Sequence, residues 1–258
     1  ESTHMYGSFI LYQYIDEHLG GPDMIRSIWE LSRSLAHPIQ DISFRTIDSA
    51  LVAVNSSFKD AVNRMRIANR ILSSHPNAEP YSYAEAEFYP VSPPPLKDIF
   101  SFEKGQPMHQ VERSLKLYAG HYYSIDTGEP VLVSILNQSG PLSDLFMAAV
   151  VKHSGSTDWT IKSGYEINLD PDFGWDWVSL IITAQDDIDN NWDYELTLED
   201  GESDDLIVGD VFPNPRTNNE PIQVGIYVVA PQTVRIKIFN ILGQKIWAWK
   251  HQVDEPED

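Results

Sequence analysis

Leu145-Phe146-Met147-Ala148-Ala149-Val150-Val151-Lys152-His153 and, further on, Trp177-Val178-Ser179-Leu180-Ile181-Ile182-Thr183-Ala184 decide the fold class. Both runs are strand-length, rich in apolar side chains, and bounded by turn formers such as Ser139-Gly140-Pro141. Working outward, the apolar period stays near two, which predicts further strands at 114–124, 130–137, 157–161 and 194–199. Asp126-Thr127-Gly128 punctuates the series, and no helix-length apolar period intervenes. The strands are therefore expected to be antiparallel and to close as a β-sandwich over 111–206.

Composition bounds the rest. The chain has 258 residues, 42% of them apolar and 11% aromatic, enough to fill real cores. Thirty-eight acidic against 18 basic residues give a formal net charge of -20, which makes nucleic acid a poor partner. No apolar run reaches the roughly 18–20 residues that span a bilayer, so no membrane span is expected. With no Cys, disulfides, a thiol nucleophile and any Cys-ligated metal are excluded.

Upstream, residues 1–74 read as a helical subdomain. Phe9, Ile10, Tyr12, Tyr14, Ile15 and Leu19 crowd one helix, which Gly20-Gly21 ends. Pro22 and Asp23 open a second helix with Ile25, Ile28, Trp29 and Leu35 as its apolar face. Thr46 is placed as the N-cap of a third, and a fourth runs from Phe58 to about Leu72. Residues 75–110 hold His75-Pro76, Glu79-Pro80, Tyr89-Pro90 and Pro93-Pro94-Pro95, which favour an extended strap whose aromatics pack on a neighbour. Residues 207–258 suggest a partial second β unit of three or four strands. The fold class predicted is thus α+β and multidomain. Neither the start at Glu1 nor the acidic end at Asp258 reads as a natural terminus, and the expectation is a fragment of something longer.

Several patterns could carry chemistry. The eight His form no His-x-His, His-x-x-x-His or His-Glu-x-x-His pattern, so no zinc site is expected within the chain. Ser56-Ser57-Phe58-Lys59 matches Ser-x-x-Lys, in which Lys59 would activate Ser56; the competing reading makes Ser56 or Ser57 a helix cap. Residues 166–210 carry fifteen acidic side chains and no basic one. Their loops Asp170-Pro171-Asp172 and Asp186-Asp187-Ile188-Asp189 offer oxygen ligands, and calcium is possible there, although a solvated acidic surface needs no ion. Trp159, Trp175, Trp177 and Trp192 could form a sugar-stacking platform, or simply fill core; alternation places Trp175 and Trp177 on one face.

Two stretches carry resemblances. Gly209-Asp210-Val211-Phe212-Pro213-Asn214-Pro215, followed by Val234–Phe239 and Asn240-Ile241-Leu242-Gly243-Gln244-Lys245-Ile246, resembles the C-terminal immunoglobulin-like modules of exported bacterial proteins, including type IX secretion sorting domains and flagellar-hook-capping-like folds. That implies export to the surface or medium, with the secretion machinery as a partner. Tyr6-Gly7-Ser8-Phe9-Ile10-Leu11-Tyr12-Gln13-Tyr14-Ile15-Asp16-Glu17-His18-Leu19-Gly20-Gly21, then Ile25-Arg26-Ser27-Ile28-Trp29-Glu30, resembles a helical subdomain of secreted gluzincin-type zinc metallopeptidases. The resemblance implies a zinc-bearing catalytic region N-terminal to this chain, with no ligand or general base supplied here. Tyr6 is placed where a related tyrosine could donate to an oxyanion, or packs as a helix-start aromatic. The expectation is a non-catalytic C-terminal portion of a secreted metallopeptidase-like protein. The alternatives are a carbohydrate- or calcium-binding adhesion protein and a serine hydrolase using Ser56 and Lys59.

Overall fold

The computed structural model describes residues 2–35, 43–89, 92–106, 109–116, 118–171, 174–185, 191–201, 206–212, 223–228, 232–239 and 245–253. It divides into two compact units, residues 1–202 and 203–258.

The first unit is α+β. Helices α1 (Ser2–His18) and α2 (Gly21–Leu35) meet at Gly20 and Gly21, both at positive φ, where a side chain would strain the backbone. The helical start lies earlier than the Tyr6 expected from the pattern. α3 (Ser43–Leu51) follows, and Thr46 is inside it rather than at its cap: buried, it accepts a hydrogen bond from Ser32 Oγ at 3.1 Å. α4 (Phe58–Ile71) ends at Leu72, whose left-handed backbone closes the last turn onto Ala68 O. Tyr14, Ile15, Ile28, Leu51, Phe58, Ala61 and Val62 form the helical core. Trp29 does not join it: the residue is 65% exposed, and α2 buries Met24 and Ile28 instead.

The strap is more structured than its prolines suggested. It holds short 3-10 turns at Pro76–Ala78 and Ala86–Phe88, and a strand β1 (Asp98–Ser101). The 114–124 run is two strands: β2 (His109–Lys116) and β3 (Gly120–Asp126) lie in different sheets, because the chain turns over at Tyr118, which takes a left-handed backbone. Next come β4 (Val131–Asn137), β5 (Leu145–His153), β6 (Trp159–Ser163), β7 (Glu166–Leu169), β8 (Trp175–Ala184) and β9 (Asn191–Asp200). One sheet has order β1-β3-β8-β5-β6, the other β2-β9-β4-β7. All pairings are antiparallel except β1 with β3, which is parallel and departs from the purely antiparallel expectation.

The two sheets face each other across one core. Leu145, Met147, Val178, Leu180 and Ile182 from the first meet Val131, Val133, Leu169, Leu196 and Leu198 from the second. The other face of the five-stranded sheet is covered as well. Tyr122, Ala148, Val150 and Ile181 pack against Ile67 and Ile71 of α4 and Ala78 of the strap. This explains why β5 and β8 read as near-continuous apolar runs: successive residues point to opposite faces, and both faces are buried. Polar contacts pin the helix down. Arg70 Nε donates to Ser179 Oγ at 2.9 Å, and Asn63 Nδ2 donates to Gln185 Oε1 at 2.9 Å. Arg66 Nη2 donates to Tyr118 O at 2.5 Å, its guanidinium passing directly over Gly120 where a Cβ would stand 2.7 Å away.

The second unit contains β10 (Leu206–Phe212) paired with β11 (Gln223–Val228), and β12 (Gln232–Phe239) paired with β13 (Lys245–Val253), both antiparallel. The Pro213-Asn214-Pro215 and Leu242-Gly243-Gln244 turns lie outside the described residues.

Candidate functional site

The Ser-x-x-Lys residues sit at the start of α4 and do not form a nucleophile–base pair. Ser57 Oγ accepts from Asp60 N at 3.1 Å, capping the helix, and Asp48 Oδ1 takes the Phe58 N–H at 2.9 Å. Ser56 Oγ donates to Asp60 Oδ2 at 2.7 Å, while Asp60 Oδ1 receives Arg64 Nε at 2.9 Å. Ser56 therefore faces a carboxylate already paired with a guanidinium, a poor base, and Lys59 points to solvent.

Tyr6 lies in α1, with its side chain outside the described residues. Among the described residues no group of three or more His, Asp or Glu converges to hold a metal. The acidic loops are only partly visible: Asp172 and 186–190 lie outside the described residues. The described histidines have other partners. His18 Nε2 donates to Ser82 O at 2.8 Å, His153 Nε2 lies 2.7 Å from Thr160 Oγ1, and His75 Nδ1 accepts from Asn77 N. No helix among the described residues is long and apolar enough to cross a membrane.

The four tryptophans do not make a platform. Trp192 is buried in the sandwich core. Trp175 and Trp177 part company because three residues of β8, 175–177, oppose two of β5, Lys152 and His153; this bulge cancels the alternation. Trp175 packs on the sandwich core, whereas Trp177 packs on the helix-covered face with Trp159. There they flank Lys152 in register, one on β6 and one on β8. The Arg70 guanidinium lies 4.7 Å from the Trp177 ring centroid and Lys152 Nζ 5.0 Å from that of Trp159. Arg70 thereby ties α4 to the sheet through Trp177, while Lys152 and Trp159 pair within the sheet.

Sequence reasoning missed the most polar feature of the sandwich. His121 and Tyr123, two apart on β3, point into the core beside Tyr194 of β9. Tyr194 Oη is hydrogen-bonded to His121 Nδ1 at 2.6 Å and to Tyr123 Oη at 2.5 Å. The Arg113 guanidinium, itself bonded to Asp98 Oδ2 at 3.1 Å, sits against the Tyr123 hydroxyl. The only local signal was an imidazole and a phenol two apart on a strand, which must find polar partners when buried; the partner, Tyr194, lies on a distant strand.

Burial, followed by the charges of Lys97, Arg113 and Arg66, pulls the His121 pKa from 6.5 down to about 4. Burial raises the Tyr194 and Tyr123 hydroxyls. His121 is therefore neutral at pH 7 and can accept from Tyr194. The unfolded chain binds a proton there between pH 6.5 and 4 that the folded chain refuses, so stability is full above 6.5 and falls as the pH drops toward 4. The expected loss is about 1–3 kcal/mol, the upper end being the full shift and the lower allowing for the water His121 still reaches. Urea unfolding of wild type and His121→Gln at pH 7 and pH 4.5 checks this: the variant should lose less stability on acidification by that amount. Parallel losses in both proteins would contradict it.

No protein-family model matches this sequence, and no curated protein matches it. Among solved structures, the chain shows likeness to PliG, a periplasmic lysozyme inhibitor of g-type lysozyme, from Salmonella Typhimurium. Identity there is 14% over 40% of this chain and 96% of that one, with a TM-score of 0.27. For PliG from Aeromonas hydrophila the values are 18%, 40%, 97% and 0.26. For the pre-peptidase C-terminal domain of collagenase from Bacillus anthracis they are 16%, 41%, 98% and 0.26. At these TM-scores neither fold nor function follows from the likeness.

Proposed function

We propose that this chain is the non-catalytic C-terminal portion of a secreted metallopeptidase-like protein, in which the sandwich acts as a rigid buttress for the helical subdomain. The observation that supports this reading is the covering of the five-stranded sheet on both faces: the opposing sheet packs on one and α4 on the other. A helical layer fixed in this way can be held in one orientation toward a catalytic region elsewhere in the protein. On this reading zinc belongs to that region, and residues 207–258 are a partial immunoglobulin-like sorting module that directs export through type IX secretion. The resemblances at 6–30 and 209–246 motivate both statements.

The purified 258-residue chain should hydrolyse no casein or gelatin, with or without added zinc, and a fluorophosphonate probe should leave Ser56 unlabelled. Chelator-sensitive peptidase activity would refute the non-catalytic reading, and labelling of Ser56 in folded protein would move the serine hydrolase to first place.

A second reading, a surface-binding protein, is favoured by one observation. On β13 Trp247 and Trp249 are both exposed, and the Trp249 ring stacks on His251 at 5.1 Å, all three on alternate residues of one strand. Retention of the chain on a glycan array, lost in Trp247→Ala/Trp249→Ala, would support it.

A further inference from the structure

At the junction of α3, the start of α4 and the β2–β3 turn lies a cavity of about 220 Å³. Its floor is aromatic. Phe44 and Phe58 have ring centroids 4.8 Å apart, and Tyr118 completes the trio at 5.2 Å from Phe44 and 4.7 Å from Phe58. Phe58 is buried, whereas Phe44 is 39% exposed and presents its ring to the opening. Tyr118 holds a left-handed backbone (φ 48°), a conformation that costs a non-glycine residue of order 1–3 kcal/mol and that is concentrated at ligand clamps. The hydrogen bond from Arg66 to Tyr118 O fixes it there.

The rim is cationic. Arg45 and Lys59 line the opening, and among the described residues neither has a carboxylate partner. Asp48 also lines the cavity and keeps its negative charge, while its Oδ1 accepts the Phe58 N–H. With Arg45 and Lys59 against the single carboxylate of Asp48, the lining of this aromatic-floored hollow carries a small excess of positive charge in a chain of net charge -20. Its volume is below that of drug-sized pockets and fits a single ring-sized group.

We infer that this cavity binds a carboxylate borne on an aryl or similar ring-sized apolar group, with the ring on Phe44 and Tyr118 and the carboxylate between Arg45 and Lys59. Two sources carry that chemistry, a free aryl acid and a peptide ending in an aromatic residue. The inference is independent of the proposed function, since it concerns residues 44–59 and 118 alone.

The full chain is titrated, by NMR line broadening of the ligand, with 3-phenylpropanoate, its amide, phenethyltrimethylammonium, and N-acetyl-Gly-Phe as free acid and as amide. Saturable binding of the free acids, at least tenfold tighter than of their amides, is expected. Arg45→Ala/Lys59→Ala should weaken it tenfold or more without moving the unfolding midpoint, because both side chains are exposed. Tighter binding of the dipeptide acid identifies a peptide C-terminus, and tighter binding of phenylpropanoate a free aryl acid; either supports the site. Equal binding of acid and amide, preference for the trimethylammonium compound, or no saturable binding to folded protein up to about 10 mM would overturn it.

Discussion

Replacing Ile181 by Ala is expected to destabilise the first unit by about 2–5 kcal/mol, the range for truncating a fully buried aliphatic side chain. Ile181 stands on the helix-covered face of β8, beside Ala148 and opposite Ile67 and Ile71 of α4. In a sandwich with one solvated face this position would be a surface residue, and its truncation would change stability by no more than about 0.5 kcal/mol. Urea unfolding followed by circular dichroism at 222 nm reads the difference directly. A near-neutral Ile181→Ala would mean that α4 does not bury this face.

Leu180→Ala is expected to cost a similar amount, again about 2–5 kcal/mol, for a separate reason. Leu180 is the neighbouring residue on the same strand but points the other way, into the core shared with Leu196 and Leu198 of the second sheet. The two substitutions therefore probe two different layers from adjacent positions. Comparable losses for both are the signature of a sheet buried on two sides; a large loss at Leu180 alone would describe an ordinary two-layer sandwich.

Most of the strand-and-helix inventory was legible in the sequence, since it depends on local signals. Gly20-Gly21 ends α1 because only glycine takes those backbone angles freely, and of the two serines read as a cap for α4, Ser56 or Ser57, it is Ser57 that caps it. What was not legible depended on contacts distant in sequence. Thr46 has the chemistry of a cap, but its hydroxyl meets Ser32 of the neighbouring helix, and α3 starts earlier. β1 escaped notice because its partner is β3, beyond the β2 strand, and nothing local in Asp98-Ile99-Phe100-Ser101 announces a parallel neighbour.

The bulge that separates Trp175 from Trp177 is a matter of register between β5 and β8, which alternation alone cannot reveal. The continuous apolar character of β5 and β8 was itself the clue that both faces are covered, and read that way it foretells the docking of the helices. The polar cluster of His121, Tyr123 and Tyr194 became meaningful only when β3 and β9 were brought together from opposite sheets. The aromatic trio of Phe44, Phe58 and Tyr118 likewise assembles from two helices and a strand turn, so no motif in the linear chain marks it.

Native-state hydrogen exchange in rising denaturant tests the central claim, that the helical layer and the sandwich are one cooperative body. Amides of α4 from Met65 to Ile71 and of β8 from Val178 to Ile182 should converge on the same opening free energy and lose protection together. Exchange of the α4 amides through a lower-energy opening, with β8 still protected, would contradict it and leave the helices a separable appendage.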